Sequence, residues 1–433
     1  MNIVSDRAKA GLFLVFIFLL SGYSMSVRGQ MIPLPNPSFE SGTDSPDGWH
    51  FLGKQGKRTK DAAAGDFAVT LAGKENSQAS TYWYTDPLPF EANACYRLSF
   101  YARRVSGSGG SPIAGPKFCN RDLHEVTSEW QRYLSYFAAP SSPVSVPLCL
   151  GQWNVGGVIA FDEVSLVQAE PVYRHYKGIT LGEGEYIAGD QYVFTAPFRG
   201  DSANHARTLA GYDCFFNKPR WVFSKGKWVI YHHEVNTVMQ VAGEIEVTLG
   251  HYRGGVLVAE ASADGDVWLE VGVLDELGTL KAALPESLFP AARVMIRFTV
   301  KTSAESDSFI NLQLYGYTYR ATLAHAAHDF QGSTRFVAVP ESDRKVHLDF
   351  EGFGDSLPGG ENELRFLATN LTENPLSITP CLSIISDDGS DFSTSIAPII
   401  LPENSSGGMS ILVPYEIPGT GDVLMSLDLG EEV

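Results

Sequence analysis

The feature that most constrains this chain is its punctuation. Forty-two glycines and 24 prolines in 433 residues are scattered between short apolar runs instead of being collected into low-complexity blocks. Frequent turn residues between runs of strand length are what all-β domains require. No stretch sustains the 3.6-residue apolar period of an amphipathic helix, whereas Phe67–Leu71, Tyr96–Phe100 and Val158–Val167 alternate with the period of a half-buried strand. With 44% apolar and 12% aromatic residues against 19% charged, the chain has the means to build cores. At roughly 150 residues per domain the length admits about three of them. The expected fold class is therefore all-β, with β-sandwiches in tandem.

Charge excludes one class of partner. Lys and Arg total 32 against 50 Asp and Glu, a formal net charge of −18. A surface that binds phosphate backbones needs the opposite sign, so nucleic acid is not expected. From Pro340 onward there are 17 acidic residues and three basic ones, Arg344, Lys345 and Arg365, so most of the excess falls in the last quarter. Those acidic residues are dispersed, with no Asp-x-Asp-x-Asp spacing to gather them around a cation, and read as a solvated surface.

At the N-terminus, Arg7 and Lys9 precede an apolar run from Ala10 to Leu20 and then the small residues Ser21, Gly22, Ser24 and Ser26. That is the layout of a secretory signal peptide, expected to occupy residues 1–29 with cleavage between Ser24 and Gln30. The run is shorter than the roughly 20 residues that span a bilayer, so no transmembrane segment is expected after cleavage. The protein is expected to be secreted, extracellular or at the cell surface.

Composition and turn signals divide the rest into residues 31–169, 171–339 and 340–433. In the second stretch, Arg220–Ser224 and Lys227–His232 flank Lys225-Gly226 and read as a hairpin, as do the runs on either side of Asp264-Gly265. The third has the length and short strands of a small Ig-like sandwich. Five cysteines, Cys95, Cys119, Cys149, Cys214 and Cys381, are too few for a disulfide scaffold and cannot all pair within one chain. Cys119 with Cys149 is the first choice for a bridge. Cys95 replacing either, and five buried thiols, remain alternatives.

Six fragments occur in order in the first stretch: Asn36-Pro-Ser-Phe-Glu40, Asp47-Gly-Trp49, Asp61-Ala-Ala-Ala-Gly65, Tyr96-Arg-Leu-Ser-Phe-Tyr-Ala-Arg103, Thr127-Ser-Glu-Trp-Gln-Arg-Tyr133 and Phe161-Asp-Glu-Val-Ser-Leu166. Together they resemble carbohydrate-binding modules of the CenC type. The resemblance implies a jelly roll, a polysaccharide or glycan partner and a structural Ca2+. Matching positions implies side chains of Glu40 and Asp162 as ligands, with main-chain oxygens near Ser38, Asp61 and Ala64. Hard oxygen donors of this kind suit calcium, although the two carboxylates could equally cap strands or pair with Arg and Lys.

Sugar recognition needs flat aromatic faces and polar side chains for hydroxyl groups. Trp49 and Trp130 belong to the matching framework fragments and are expected in the core. In Thr81-Tyr-Trp-Tyr-Thr85 strand alternation sends Tyr82 and Tyr84 one way and Trp83 the other. Trp153 lies in Gly151-Gln-Trp-Asn-Val-Gly-Gly157, a loop-like segment. Trp83, Tyr84, Trp153 and Asn154 are the candidates for a binding platform.

The second stretch carries Ser262-Ala-Asp-Gly-Asp-Val-Trp268 and Val294-Met-Ile-Arg297, which loosely resemble strands of discoidin-like, galactose-binding-type sandwiches. That implies another β-sandwich and does not specify a ligand. Several short motifs are weak. His232-His233 point to opposite faces of a strand; His325 and His328 make an incomplete metal pair; Gly354-Asp-Ser-Leu357 is a GDSL-like tetrapeptide with no downstream histidine to activate its serine; Arg199-Gly-Asp-Ser202 is an adhesion-like tripeptide; and Asn370-Leu-Thr and Asn404-Ser-Ser are sequons. No catalytic set emerges. The expected function is noncatalytic glycan binding, with a carbohydrate-active enzyme acting on glycosidic bonds and a cell-envelope adhesion protein as the alternatives.

Overall fold

The computed structural model describes residues 31–432 except 76–78, 124–125, 199–203, 218, 237, 303–308, 339–344, 354–360, 387–390, 415–422 and 429–430. The signal-peptide segment, the GDSL-like tetrapeptide and Arg199–Ser202 therefore lie outside the described residues. Among the described residues the protein is nearly all β, with a single short 3-10 turn at Glu286–Leu288 and no helix long and apolar enough to cross a membrane. Tandem β-sandwiches account for this arrangement.

The first two sandwiches share one sheet, which has thirteen strands among the described residues. It begins in the first half with Trp49–Leu52, Ser80–Thr85, Leu148–Trp153, Ser111–Pro116 and Cys119–Asp122. Phe215–Asn217 then pairs in parallel with Cys119–Asp122, with Phe216 opposite Cys119 and Asn217 opposite Asn120. From there the sheet continues through Arg220–Phe223 and Asn311–Leu323, which is joined by Gln191–Thr195 and Gln240–Arg253. A seven-stranded sheet including Cys95–Ser108, Gln131–Ala138 and Gly156–Tyr176 lies across the core in the first half. A five-stranded sheet including Trp228–Glu234, Val256–Ser262 and Arg293–Lys301 does so in the second.

Cross-core contacts show how the layers meet. The Trp83 indole donates to the Thr70 carbonyl at 3.1 Å in the first half, and the Trp221 indole donates to the Tyr231 hydroxyl at 2.7 Å in the second. One cluster of buried residues runs without interruption from Ile32 to Phe330. The chain does not break near residue 170, where the composition changes. Gly156–Tyr176 is a single strand that pairs with Cys95–Ser108 at one end and with Thr334–Ala338 and Ile179–Leu181 at the other. Its Val172 also packs into the separate core of the third unit, beside Leu364, Phe366 and Ile411.

The expected hairpin at Lys225-Gly226 is instead a crossing between layers. Arg220–Phe223 belongs to the thirteen-stranded sheet and Trp228–Glu234 to the five-stranded one. The turn closes locally, with Lys227 N donating to Ser224 O at 3.1 Å, but each strand finds longer partners elsewhere. Crossing puts Trp221 and Tyr231 face to face inside the sandwich. The Asp264-Gly265 hairpin forms as read: Leu257 to Ala261 pair with Leu274 to Leu269, and Asp264 Oδ1 accepts from the amides of Asp266 and Val267. The Asn370 sequon is not at the surface, since the fully buried Asn370 amide donates to the carbonyls of Asn374, Leu401 and Pro402.

The second sandwich buries polar groups that must be matched. Glu185 is held by Arg207 through two hydrogen bonds of 2.7 and 2.6 Å and by the Tyr192 hydroxyl at 2.6 Å. His233 faces the Tyr317 hydroxyl at 2.6 Å and stacks on Tyr319. Burial drives the imidazoles of His205 and His232 down to about 4, and His233 well below its ordinary value. In the unfolded chain they accept protons near pH 6.5. Between these limits the unfolded chain binds more protons than the folded one, so stability falls as pH drops from 6.5 toward 4. Asp162, raised by burial to about 6, acts in the opposite sense and offsets one of the three. The melting temperature is expected to decline steadily between pH 7 and 4.5; a flat profile would contradict this.

Candidate glycan-binding face

The outer face of the shared sheet is built by alternation. In Ser80–Thr85, Trp83 and Thr85 point into the core while Tyr82 and Tyr84 point away. In Leu148–Trp153, Leu148, Leu150 and Gln152 are inward, and Cys149, Gly151 and Trp153 are outward. Register places Cys149 opposite Tyr84, Gly151 opposite Tyr82 and Trp153 opposite Ser80. Tyr84, Tyr82 and Trp153 therefore occupy three successive outward rows, spaced by about 7 Å along the strands.

Three details keep this row open. Gly151 has no side chain to cover its neighbour: a Cβ there would lie 2.5 Å from the Cβ of Tyr82. Trp153 is 46% exposed, and the Leu52 side chain beside Tyr82 is also exposed. The Tyr82 and Tyr84 rings meet edge to face at 5.9 Å, and His50, held by Asp86 at 3.0 Å, lies 5.4 Å from Tyr84. An exposed Trp153 beside the half-buried Tyr82 and Tyr84 rings on the outer sheet face offers a site for an apolar-faced ligand.

The structure corrects one platform candidate. Trp83 is fully buried, bonded to Thr70 and packed on Phe51 with ring centroids 4.8 Å apart, because it sits on the inward side of the alternation. Tyr82 takes its place. Tyr84 and Trp153 are on the outer face as candidates for contact, and Asn154 follows Trp153 in the turn, with a left-handed backbone (φ 56°) that Asn tolerates. Trp49 is in the core, donating to Pro35 O, whereas Trp130 is half-buried under the Arg103 guanidinium.

Glu40 and Asp162 approach the same turn from two sides. The Asn36–Glu40 segment folds tightly, burying Phe39, and Glu40 Oε1 accepts from the amides of Asp66 and Phe67 at 3.0 Å. Gly65 is required here, since a Cβ would come within 2.3 Å of that oxygen. A bulge between Asp162 and Ser165 aims the fully buried Asp162 carboxylate at the amides of Ala63, Ala64 and Glu163. The Asp61 carboxylate pairs with Arg103, and Arg58 donates to the carbonyls of Phe39, Glu40 and Gly42. No basic side chain pairs with Asp162, and no three His, Cys, Asp or Glu side chains gather among the described residues.

Cys119 and Cys149 do not form a bridge. Their strands flank Ser111–Pro116 on opposite sides, two strand spacings or about 9.6 Å apart, beyond disulfide reach. None of the five cysteines is in a disulfide bond among the described residues. The His325 and His328 pair is likewise no metal site, because His328 Nε2 faces the Lys177 amine at 2.9 Å.

No family model and no curated protein matches the chain. Among solved structures it is similar to the tandem CBM22-1-CBM22-2 domains of Paenibacillus barcinonensis Xyn10C, with 13% identity over 69% of this chain and 100% of that one, at a TM-score of 0.28. It is also similar to the CBM22-1 xylan-binding domain of the same protein (18% identity, 32% of this chain and 95% of that one, TM-score 0.25) and to a Bacteroides uniformis β-glucuronidase (10%, 47% and 22%, TM-score 0.17). Similarity at this level assigns neither a family nor a ligand.

The two tryptophans separate packing from contact. Trp83→Ala is expected to destabilise the protein by about 3–5 kcal/mol, and Trp153→Ala by less than about 0.5 kcal/mol. Urea unfolding of the two variants measures the difference, and equal losses would contradict the assignment of faces.

Proposed function

We propose that this protein is an exported, noncatalytic glycan-binding protein whose first sandwich holds a polysaccharide on the outer face of its sheet. The observation that supports this best is the outward row of half-buried Tyr84 and Tyr82 and exposed Trp153 on neighbouring strands. Rings fixed on strands present flat apolar surface with little conformational entropy left to lose on binding. An open face, unlike a closed pocket, accepts the interior of a chain as readily as its end. The chain as a whole carries −18, most of it in the third unit, which disfavours polyanionic glycans near the molecule.

Affinity electrophoresis against soluble xylan, β-glucan, mannan and polygalacturonate tests this reading. At least one neutral polymer is expected to retard the protein while polygalacturonate does not. Replacing both Tyr82 and Trp153 by Ala is expected to weaken retention by about 10-fold or more, at about 1–3 kcal/mol per ring lost. Unchanged migration of this variant would remove the face from consideration.

The turn between Glu40 and Asp162 is proposed as the calcium site. A fully buried carboxylate without a basic partner is the kind of group a cation relieves. Glu40 and Asp162 would supply side-chain oxygens, and Ser38, Asp61 and Ala64 main-chain ones; the ion would neutralise Asp162 and lock the turn. Calcium is expected to raise the melting temperature of the wild type and not of Asp162→Asn. A chelator that leaves the wild-type transition unmoved would argue against it.

A further inference from the structure

We propose that a groove on the second sandwich is a further saccharide subsite, so that one neutral polysaccharide chain lies across both sandwiches. This rests on the reading of the first face as a glycan platform and extends it to a region that the sequence did not single out.

The groove has a volume of about 420 Å³, within the range of small-molecule sites. Its floor is the outer side of the same thirteen-stranded sheet. Thr195 pairs with Thr318, and Thr318 with Glu246, across three neighbouring strands. Tyr186 and Tyr315 stand at its sides, 43% and 42% exposed. The Tyr315 ring lies over Gly250, where a Cβ would come within 2.5 Å of it, the same device that clears Tyr82 beside Gly151. Glu246 is answered by Lys281 at 3.1 Å and Arg320 at 3.7 Å, so the floor presents threonine hydroxyls and a neutralised carboxylate. Hydroxyl groups flanked by exposed aromatic rings suit a neutral sugar and not an anion.

The two regions lie on the same side of one sheet. From Tyr82 the outward row passes over Gly151 and Ile113 to Asp122. Ile113 is buried yet belongs to neither core, and so packs on this outer side. Asn120 then bridges the join, its amide reaching Asp122 and Asn217 at 3.4 Å each. Asn217 pairs with Arg220, whose guanidinium donates to Gln313 at 2.7 Å and lies 5.4 Å from the centre of the Tyr315 ring. Six strand intervals separate the Tyr84 strand from the Tyr315 strand, a path of about 29 Å. Beyond the buried Gly151 and Ile113, the path carries the Asp122 carboxylate, the Asn120 and Asn217 amides and the Arg220 guanidinium, which can hydrogen-bond sugar hydroxyls. The occupant is a neutral polymer long enough to reach from one sandwich to the other.

Isothermal titration of the full chain tests the proposal, using the retained neutral polymer (soluble xylan, β-glucan or mannan) and its own tetrasaccharide. The wild type is expected to bind the polymer more tightly than the tetrasaccharide by about tenfold or more, because a second contact on one ligand is intramolecular. Tyr315→Ala and, independently, Thr318→Arg are expected to remove that advantage while leaving tetrasaccharide affinity and melting temperature unchanged. Polymer affinity unchanged in both groove variants would overturn the proposal and leave the first-sandwich reading standing. Tetrasaccharide binding lost in the groove variants would overturn it too, because the groove would then be the primary site. Failure of the wild type to bind any of the polymers would remove both readings.

Discussion

Two residues of parallel pairing decide the form of this molecule. Where Phe216 meets Cys119 and Asn217 meets Asn120, the sheet of one sandwich becomes the sheet of the next. Strand pairing leaves no unsatisfied edge at the join, and it forces the outward side chains of both halves onto a common face. The strand Gly156–Tyr176 runs on within the seven-stranded layer to pair with Ile179–Leu181 and Thr334–Ala338, and reaches the third core through Val172. A molecule joined by sheet rather than by linker has little freedom to reorient its parts. That rigidity is what allows separate patches of side chains to act on one ligand.

The proposed glycan recognition rests on side chains that the core did not need. Strand alternation places every second residue outside, and water ordinarily selects polar groups there. On this sheet the outward positions instead hold Tyr82, Tyr84, Trp153 and Tyr315, with Gly151 and Gly250 as their close neighbours. A glycine in mid-strand weakens the strand and marks a place where something must approach closely. At Gly250 what approaches is the Tyr315 ring, and at Gly151 the Thr81 carbonyl and the Tyr82 Cβ.

Much of the fold was legible in the residues because turn chemistry and period-two patterning are local. The all-β class and the Asp264-Gly265 hairpin belong to that category. Alternation correctly separated Tyr82 and Tyr84 from Trp83, but it says only that two faces differ and not which of them is the core. Trp83 was misplaced for that reason, and Tyr82 was omitted with it. The turn at Lys225-Gly226 has hairpin chemistry, yet its strands pair with partners remote in sequence. The junction between Asn120 and Asn217 spans nearly a hundred residues and leaves no local signal. The groove beside Tyr315 was unreadable for the same reason, since its floor comes from three strands far apart along the chain.

The central claim is that one sheet face, spanning both sandwiches, is where polysaccharide lies. Hydrogen-exchange mass spectrometry of the full chain, with and without a soluble neutral polymer that it binds, tests this most directly. The account predicts slower exchange in the segments around Ser80–Thr85, Leu148–Trp153 and Asn311–Leu323, with the seven- and five-stranded layers unaffected. Protection confined to those opposite layers, or to the third unit, would contradict it.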